Sequence, residues 1–149
     1  MKRNILYLFL STAACLYGCA GKTNILPSTP VPVSGTFAGQ FKLYHVNPVT
    51  NKVRVDSANL GLVMEIATGY KITGDTTTLH AGSYGSYQVN SYTTQILFAD
   101  NTFPPGGSSA KVHLSGSYNY HYDGSTLQLV TYGPQDTLQY FYNLKRTGN

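Results

Sequence analysis

From Gly35 to the C-terminus the apolar residues recur at every second position, and no window places them at helical spacing. Side chains of a strand alternate between two faces, so this pattern predicts half-buried β-strands. The clearest run is Lys111 to Tyr122 (KVHLSGSYNYHY). Val112, Leu114, Gly116, Tyr118, Tyr120 and Tyr122 form one face, and the polar residues between them, His113 and His121 included, form a solvated one. Asp123-Gly124 follows, a strong two-residue hairpin signal, because a type I′ turn needs positive φ at both central residues. A turn centred there pairs Tyr122 with Ser125, Tyr120 with Leu127 and Tyr118 with Leu129, and puts the apolar residues of both strands on one face.

Gly133-Pro134 marks the next break, after which Thr137 to Arg146 alternates again with Leu138, Tyr140, Tyr142 and Leu144 inward. Earlier in the chain Phe37, Phe41 and Leu43 alternate in a first strand, and Asn47-Pro48 through Lys52 reads as a turn. Ala58, Leu60, Leu62, Met64 and Ile66 form the apolar face of a second strand. Shorter strands are predicted near Tyr70 to Thr73, Tyr84 to Val89 and Tyr92 to Phe98, and Asp100 to Ala110, with Pro104-Pro105-Gly106-Gly107, reads as a long irregular loop.

Eight strands in hairpin order predict an all-β domain over 35–149: a single antiparallel up-and-down barrel, which closes on itself and leaves no edge. A small β-sandwich is the alternative. Gly35-Thr36-Phe37 stands where lipocalin-like barrels carry Gly-x-Trp in their first strand, and Arg146 shares the inward parity of Leu144 in the last. The domain thus resembles the lipocalin-like group, which implies a barrel-closing contact between Phe37 and Arg146.

The N-terminus has a different pattern. Lys2 and Arg3 precede an apolar or small run, Ile5 to Leu16, of signal-peptide length and too short to span a bilayer comfortably. The run ends in Leu16-Tyr17-Gly18-Cys19, which resembles the bacterial lipobox. That resemblance implies a leader over 1–18, removed with Cys15, and a diacylglycerol thioether on Cys19. Two lipid signals suffice for stable anchoring, so the expected partner of Cys19 is a membrane. Residues 19–34 hold Pro27, Pro30 and Pro32 and no periodicity, and read as an extended tether. Some surface-exported lipoproteins carry an acidic tract after the cysteine; Ala20-Gly21-Lys22 is not one, which favours a periplasm-facing outer-membrane lipoprotein of a Gram-negative envelope.

Loss of the leader takes the formal charge from +4 to +2, and the remaining basic residues are scattered apart from Lys145-Arg146. Nothing there would neutralise a phosphate backbone, so no nucleic-acid partner is expected. No cysteine follows Cys19, so the domain must be held by packing rather than by a disulfide.

Candidate chemistry is sparse. His113 and His121 lie about 27 Å apart on an extended strand and cannot share a metal, and a phosphate-binding loop and a Gly-x-Ser-x-Gly elbow are both missing. The reading therefore expects no enzyme, no metal and no cofactor. Tyr118, Tyr120, Tyr122, Tyr140 and Tyr142 point inward and offer apolar faces with hydroxyls that want partners. They either line a pocket for a small amphipathic or hydrophobic ligand, or fill the barrel as part of a structural or protein-interaction module of the envelope; an eight-stranded barrel has room for either. Asp56-Ser57-Ala58, Asp75-Thr76-Thr77 and Asp136-Thr137-Leu138 resemble an O-glycosylation pattern of envelope proteins, and turn chemistry accounts for them equally well. The lipobox carries a direct test: mass spectrometry of membrane-extracted protein should show a chain beginning at modified Cys19, and Cys19→Ser should persist as an uncleaved precursor. An unmodified N-terminus elsewhere would refute the anchoring.

Overall fold

A computed structural model describes residues 32–107, 109–133 and 137–148. The leader, Cys19 and the tether as far as residue 31 lie outside the described residues, as does Asp136. The described chain forms eight strands: β1 (Gly35–Val46), β2 (Val53–Glu65), β3 (Gly69–Gly74), β4 (Tyr84–Asn90), β5 (Gln95–Asp100), β6 (Gly116–Tyr122), β7 (Thr126–Tyr132) and β8 (Leu138–Gly148). Each pairs antiparallel with its sequence neighbours, and β8 closes on β1 to give one up-and-down barrel. The closed ladder excludes the sandwich alternative.

The alternation places the core where an alternating pattern must. Phe37, Phe41 and Leu43 of β1, Ala58, Leu60, Leu62 and Met64 of β2, and Tyr142 and Leu144 of β8 are all buried. β1 is paired along its length with β2 on one side and β8 on the other. The weakest seam is β3–β4, where only Tyr70↔Gly85 and Lys71↔Tyr84 are in register. Gly85 is required for the approach of β4 to its other neighbour, because a Cβ there would collide with the Ala99 carbonyl of β5.

Four expectations need correction. Ile66 is 80% exposed, because β2 ends at Glu65 and Ile66 begins the turn to β3. β5 starts at Gln95 rather than Tyr92, because the Asn90 side chain accepts the Tyr92 and Thr93 amides (3.1 and 3.3 Å) and holds that segment in a turn. Likewise β6 starts at Gly116, whose φ of +86° breaks the extended run, so 111–115 belongs to the preceding loop. Finally, Tyr122 pairs with Leu127 and Tyr120 with Leu129, two residues from the expected register. The central residues of the hairpin are Gly124 and Ser125: the Asp123 carboxylate accepts the amides of Ser125 (2.8 Å) and Thr126 (2.6 Å) and so occupies the position before the turn. Positive φ is needed only at Gly124 (+93°), as in a type II′ turn. A two-residue shift keeps every side chain on its predicted face, which is why the apolar pattern alone could not detect it.

The two ends of the barrel differ. Gly35, where the chain enters β1, shares its end with the short turns 66–68, 91–94 and 123–125. Just before it, Val33 is buried and its carbonyl accepts the Tyr87 hydroxyl (3.1 Å). The long connections β3–β4 and β5–β6 lie at the opposite end, the mouth, and are knitted together there. His80 and Val112 form a parallel bridge, Ala81 N–H donates to the Val112 carbonyl (2.8 Å), and Val112 N–H to the Leu79 carbonyl (2.9 Å). Leu114 N–H donates to Ser83 Oγ (3.2 Å), and Tyr70 donates its hydroxyl to the Leu114 carbonyl (2.5 Å).

His80 reaches from this knot into the interior and is fully buried. The Ala81 carbonyl can only accept, so His80 Nδ1 carries the proton (2.6 Å) and Nε2 accepts the Tyr142 hydroxyl (2.7 Å). Burial pushes this imidazole down to about 4.

Two predictions follow from these contacts. Gly124→Val should cost about 1–2 kcal/mol, read as a lower urea midpoint, because a β-branched residue is forced to positive φ. The second concerns acid. An unfolded histidine takes up a proton near pH 6.5 while the folded His80 stays neutral to about 4. Stability from this site is therefore complete above pH 6.5 and falls by about 3 kcal/mol as the pH drops to 4. Urea midpoints across that window should flatten in His80→Gln. The Asp100 carboxylate, held below its usual range, stabilises the fold through this window and loses that contribution only as the pH falls further.

Candidate functional site

The five tyrosines proposed as a pocket lining do not act as one. Tyr118 and Tyr142 are core residues, packed edge to face with centroids 5.7 Å apart. They belong to an aromatic column through the barrel: Phe41 lies 4.8 Å from Tyr142, and Phe98 5.7 Å from Tyr118 and 4.9 Å from Tyr70. With the His80 tautomer set, the hydrogen bonds run in one direction, from the Tyr142 hydroxyl to His80 and from His80 to the Ala81 carbonyl. Burial pushes the Tyr118 and Tyr142 hydroxyls up, so both stay neutral. The interior around them is taken up by side chains.

Tyr122 belongs to the entry end. Its ring packs edge-on against Phe37 (5.8 Å, 78°), and its hydroxyl accepts from Arg146 Nη1 (3.2 Å). Phe37 and Arg146 are opposite each other across the β1–β8 closure, so Tyr122 joins the pair named from the sequence. Tyr120 is half-buried against the core, and Tyr140 is half-buried at the other end.

Tyr140 faces the mouth. There an open cleft of about 790 Å³ lies between the β5–β6 loop and the ends of β1, β7 and β8. Leu43, Leu138, Tyr140 and Phe103 give it apolar walls, with one edge of Tyr118 at its base. Its rim is polar on two sides. On one, the Asp56 carboxylate accepts from Arg54 Nη2 (3.1 Å) and lies 3.0 Å from His45 Nε2. Arg54 is largely exposed, so this cluster adds little stability.

On the other side stand Asp100, Ser109 and His113. The Asp100 carboxylate has no exposed area and the His113 side chain only 7%. His113 Nδ1 lies 2.7 Å from Asp100 Oδ2, and His113 Nε2 lies 3.0 Å from Ser109 Oγ. Thr102 donates both its amide (2.8 Å) and its hydroxyl (2.7 Å) to Asp100 Oδ1. Burial alone would raise the Asp100 carboxyl; hydrogen bonds from Thr102, His113 and Ser83 outweigh it and hold the group below its ordinary value. Phe103 packs edge-on against the His113 ring (5.1 Å).

The expectation that His113 is solvated is therefore wrong. His121 is exposed, as expected, but His113 lies in the loop before β6, where strand alternation does not apply. His45 and His80 have separate partners, Asp56 and Tyr142. Among the described residues no three His, Cys, Asp or Glu side chains are grouped to hold a metal ion. The Asp100–Ser109–His113 cluster was missed because its members come from the end of a strand and from a loop, at spacings that match no motif. The only hint was the presence of Ser and His beside a glycine-rich loop, where functional residues often sit. The chain matches no known protein family, no curated protein and no solved structure.

Proposed function

We propose that this chain is an envelope lipoprotein, held on the periplasmic side of the outer membrane of a Gram-negative cell by an acylated Cys19, and that its barrel binds a small amphipathic ligand in the mouth cleft. The observation that carries the reading is the position and character of the cleft: about 790 Å³, lined by apolar and polar groups alike, and at the end opposite the one where the chain enters β1. A barrel tethered through residues before Gly35 would keep that mouth free. The volume is in the range of small-molecule sites, and a lining that mixes apolar walls with polar groups suits an amphipathic molecule.

The outer wall supports a barrel that stands in water. Lys71, Gln88, Asn119, His121, Asn143 and Lys145 are exposed on the strands, where a barrel that crosses a bilayer would carry an apolar band. The ligand site is thus moved from the tyrosine-lined interior to the mouth, with Tyr140 and the edge of Tyr118 as the tyrosines that could touch a ligand.

The test uses the full-length protein in lipid nanodiscs with a photoactivatable medium-chain fatty acid. Crosslinks should map to the cleft walls, at Phe103, Leu138 and Tyr140, and unlabelled fatty acid should compete. Tyr140→Ala should reduce labelling severalfold at unchanged thermal midpoint. Labelling spread over the outer wall, or none, would refute the cleft. The protein-interaction reading would then lead, with the exposed Val89 and Leu97 on the wall and Tyr92 in the turn between their strands as its surface; Tyr92 is 99% exposed.

A further inference from the structure

We propose that Ser109, His113 and Asp100 form a nucleophilic relay in the mouth cleft and give the protein an acyl-transfer activity, the hydrolysis of small amphipathic esters. The inference rests on the cleft as the place where a substrate would lie, since Ser109 and His113 both line it. It departs from the expectation of a non-enzymatic protein, which was drawn from motif spacing.

Three features carry it. The first is which nitrogen meets which group. A carboxylate only accepts, so Asp100 Oδ2, at 2.7 Å, keeps the proton on His113 Nδ1. Nε2 is then a free base, 3.0 Å from Ser109 Oγ, and accepts the hydroxyl proton. Carboxylate to Nδ1 and hydroxyl to Nε2 is the arrangement by which serine hydrolases on unrelated folds activate their nucleophile, recognised by geometry and not by chain order.

The second is burial. Asp100 is out of water and its other oxygen is fixed by Thr102, so it stays ionised and holds the imidazole in one orientation. Ser109, by contrast, is exposed, so its oxygen can be reached from the cleft. A base shielded on one side and a nucleophile open on the other is what acyl transfer requires.

The third is the backbone. Lys111 N–H donates to Ser109 Oγ (3.2 Å), which holds that oxygen in place beside His113. The Lys111 ammonium is tied to the Thr76 carbonyl (2.9 Å), so the segment after Ser109 is fastened to the β3–β4 loop.

In the reaction, Ser109 Oγ attacks the acyl carbon while its proton passes to His113 Nε2. The bond from the acyl carbon to the alcohol oxygen breaks, and the alcohol leaves with that proton. Water then attacks the acyl-serine and gives a proton to Nε2. The bond to Oγ breaks, Oγ recovers the proton, and the carboxylic acid departs.

The test uses full-length protein in lipid nanodiscs, a fluorophosphonate probe with peptide mapping, and p-nitrophenyl butyrate as ester. The expected result is one adduct, on Ser109, together with ester hydrolysis that Ser109→Ala abolishes. His113→Gln should slow both by about 10²–10⁴-fold, the usual contribution of a general base. Ser109 is at the surface, so Ser109→Ala should fold normally; its thermal midpoint checks this. No adduct on Ser109, or an adduct whose rate is unchanged in His113→Gln, would overturn the relay and leave a clasp that merely closes the loop. Fatty-acid crosslinks in the cleft without an adduct mean that the relay fails and the cleft reading stands. An adduct without crosslinks means that the relay stands and the cleft reading fails.

Discussion

A run of hydrogen bonds from the Tyr142 hydroxyl through His80 to the Ala81 carbonyl, and from Ala81 N–H to the Val112 carbonyl, joins the barrel wall to both of its long loops. It solves a problem that any closed barrel faces at its mouth. Where the strand ladder stops, backbone groups lose their partners, and each one left buried and unpaired costs about 1–3 kcal/mol. Here the β3–β4 and β5–β6 loops pair with each other across the His80–Val112 bridge, and the His80 imidazole pins that bridge to the aromatic core. Among the described residues no buried side-chain nitrogen or oxygen lacks a partner. A domain that has no cysteine of its own to cross-link must be held by packing and by such bonds.

The cleft depends on the same knot. Its outer wall is the β5–β6 loop, and that loop is held at Val112 and Leu114 by the β3–β4 segment and at His113 by Asp100. A hydrogen bond to a buried carboxylate contributes about 1.5–3 kcal/mol, because the charge loses a donor when it is removed. The Asp100–His113 contact thus fixes the loop, and it also sets the direction in which the imidazole presents its free nitrogen. Stability and chemistry at the mouth share one pair of side chains. The entry end is the opposite case: short turns, Arg146 bonded to Tyr122, and Tyr122 packed on Phe37.

Much of the wall was legible in the residues. Alternation in β1, β2, β7 and β8 named the core positions Phe41, Leu60, Leu62, Leu129, Tyr142 and Leu144 before any coordinates, because period-two burial depends only on neighbours along the chain. Hairpin order and strand number then led to the closed barrel. The register of β6 on β7 was not legible, since a shift by two preserves the pattern and only the capture of two amides by Asp123 decides it. Leu114 is buried as its parity predicts, but that it lies outside β6 was equally hidden, because the strand pattern runs smoothly across Gly116 while the backbone does not.

The sequence by itself determined that this is an all-β chain with apolar residues on one face of each strand, preceded by a segment that resembles a lipoprotein leader. Only the tertiary structure decided which tyrosines fill the core and which reach the mouth, because all five share one parity and differ only in height along the barrel. Only the structure brought Asp100, Ser109 and His113 together. A hydrogen bond between a strand end and a loop has no period in the sequence; it exists because closing the barrel folds that loop back over its own mouth.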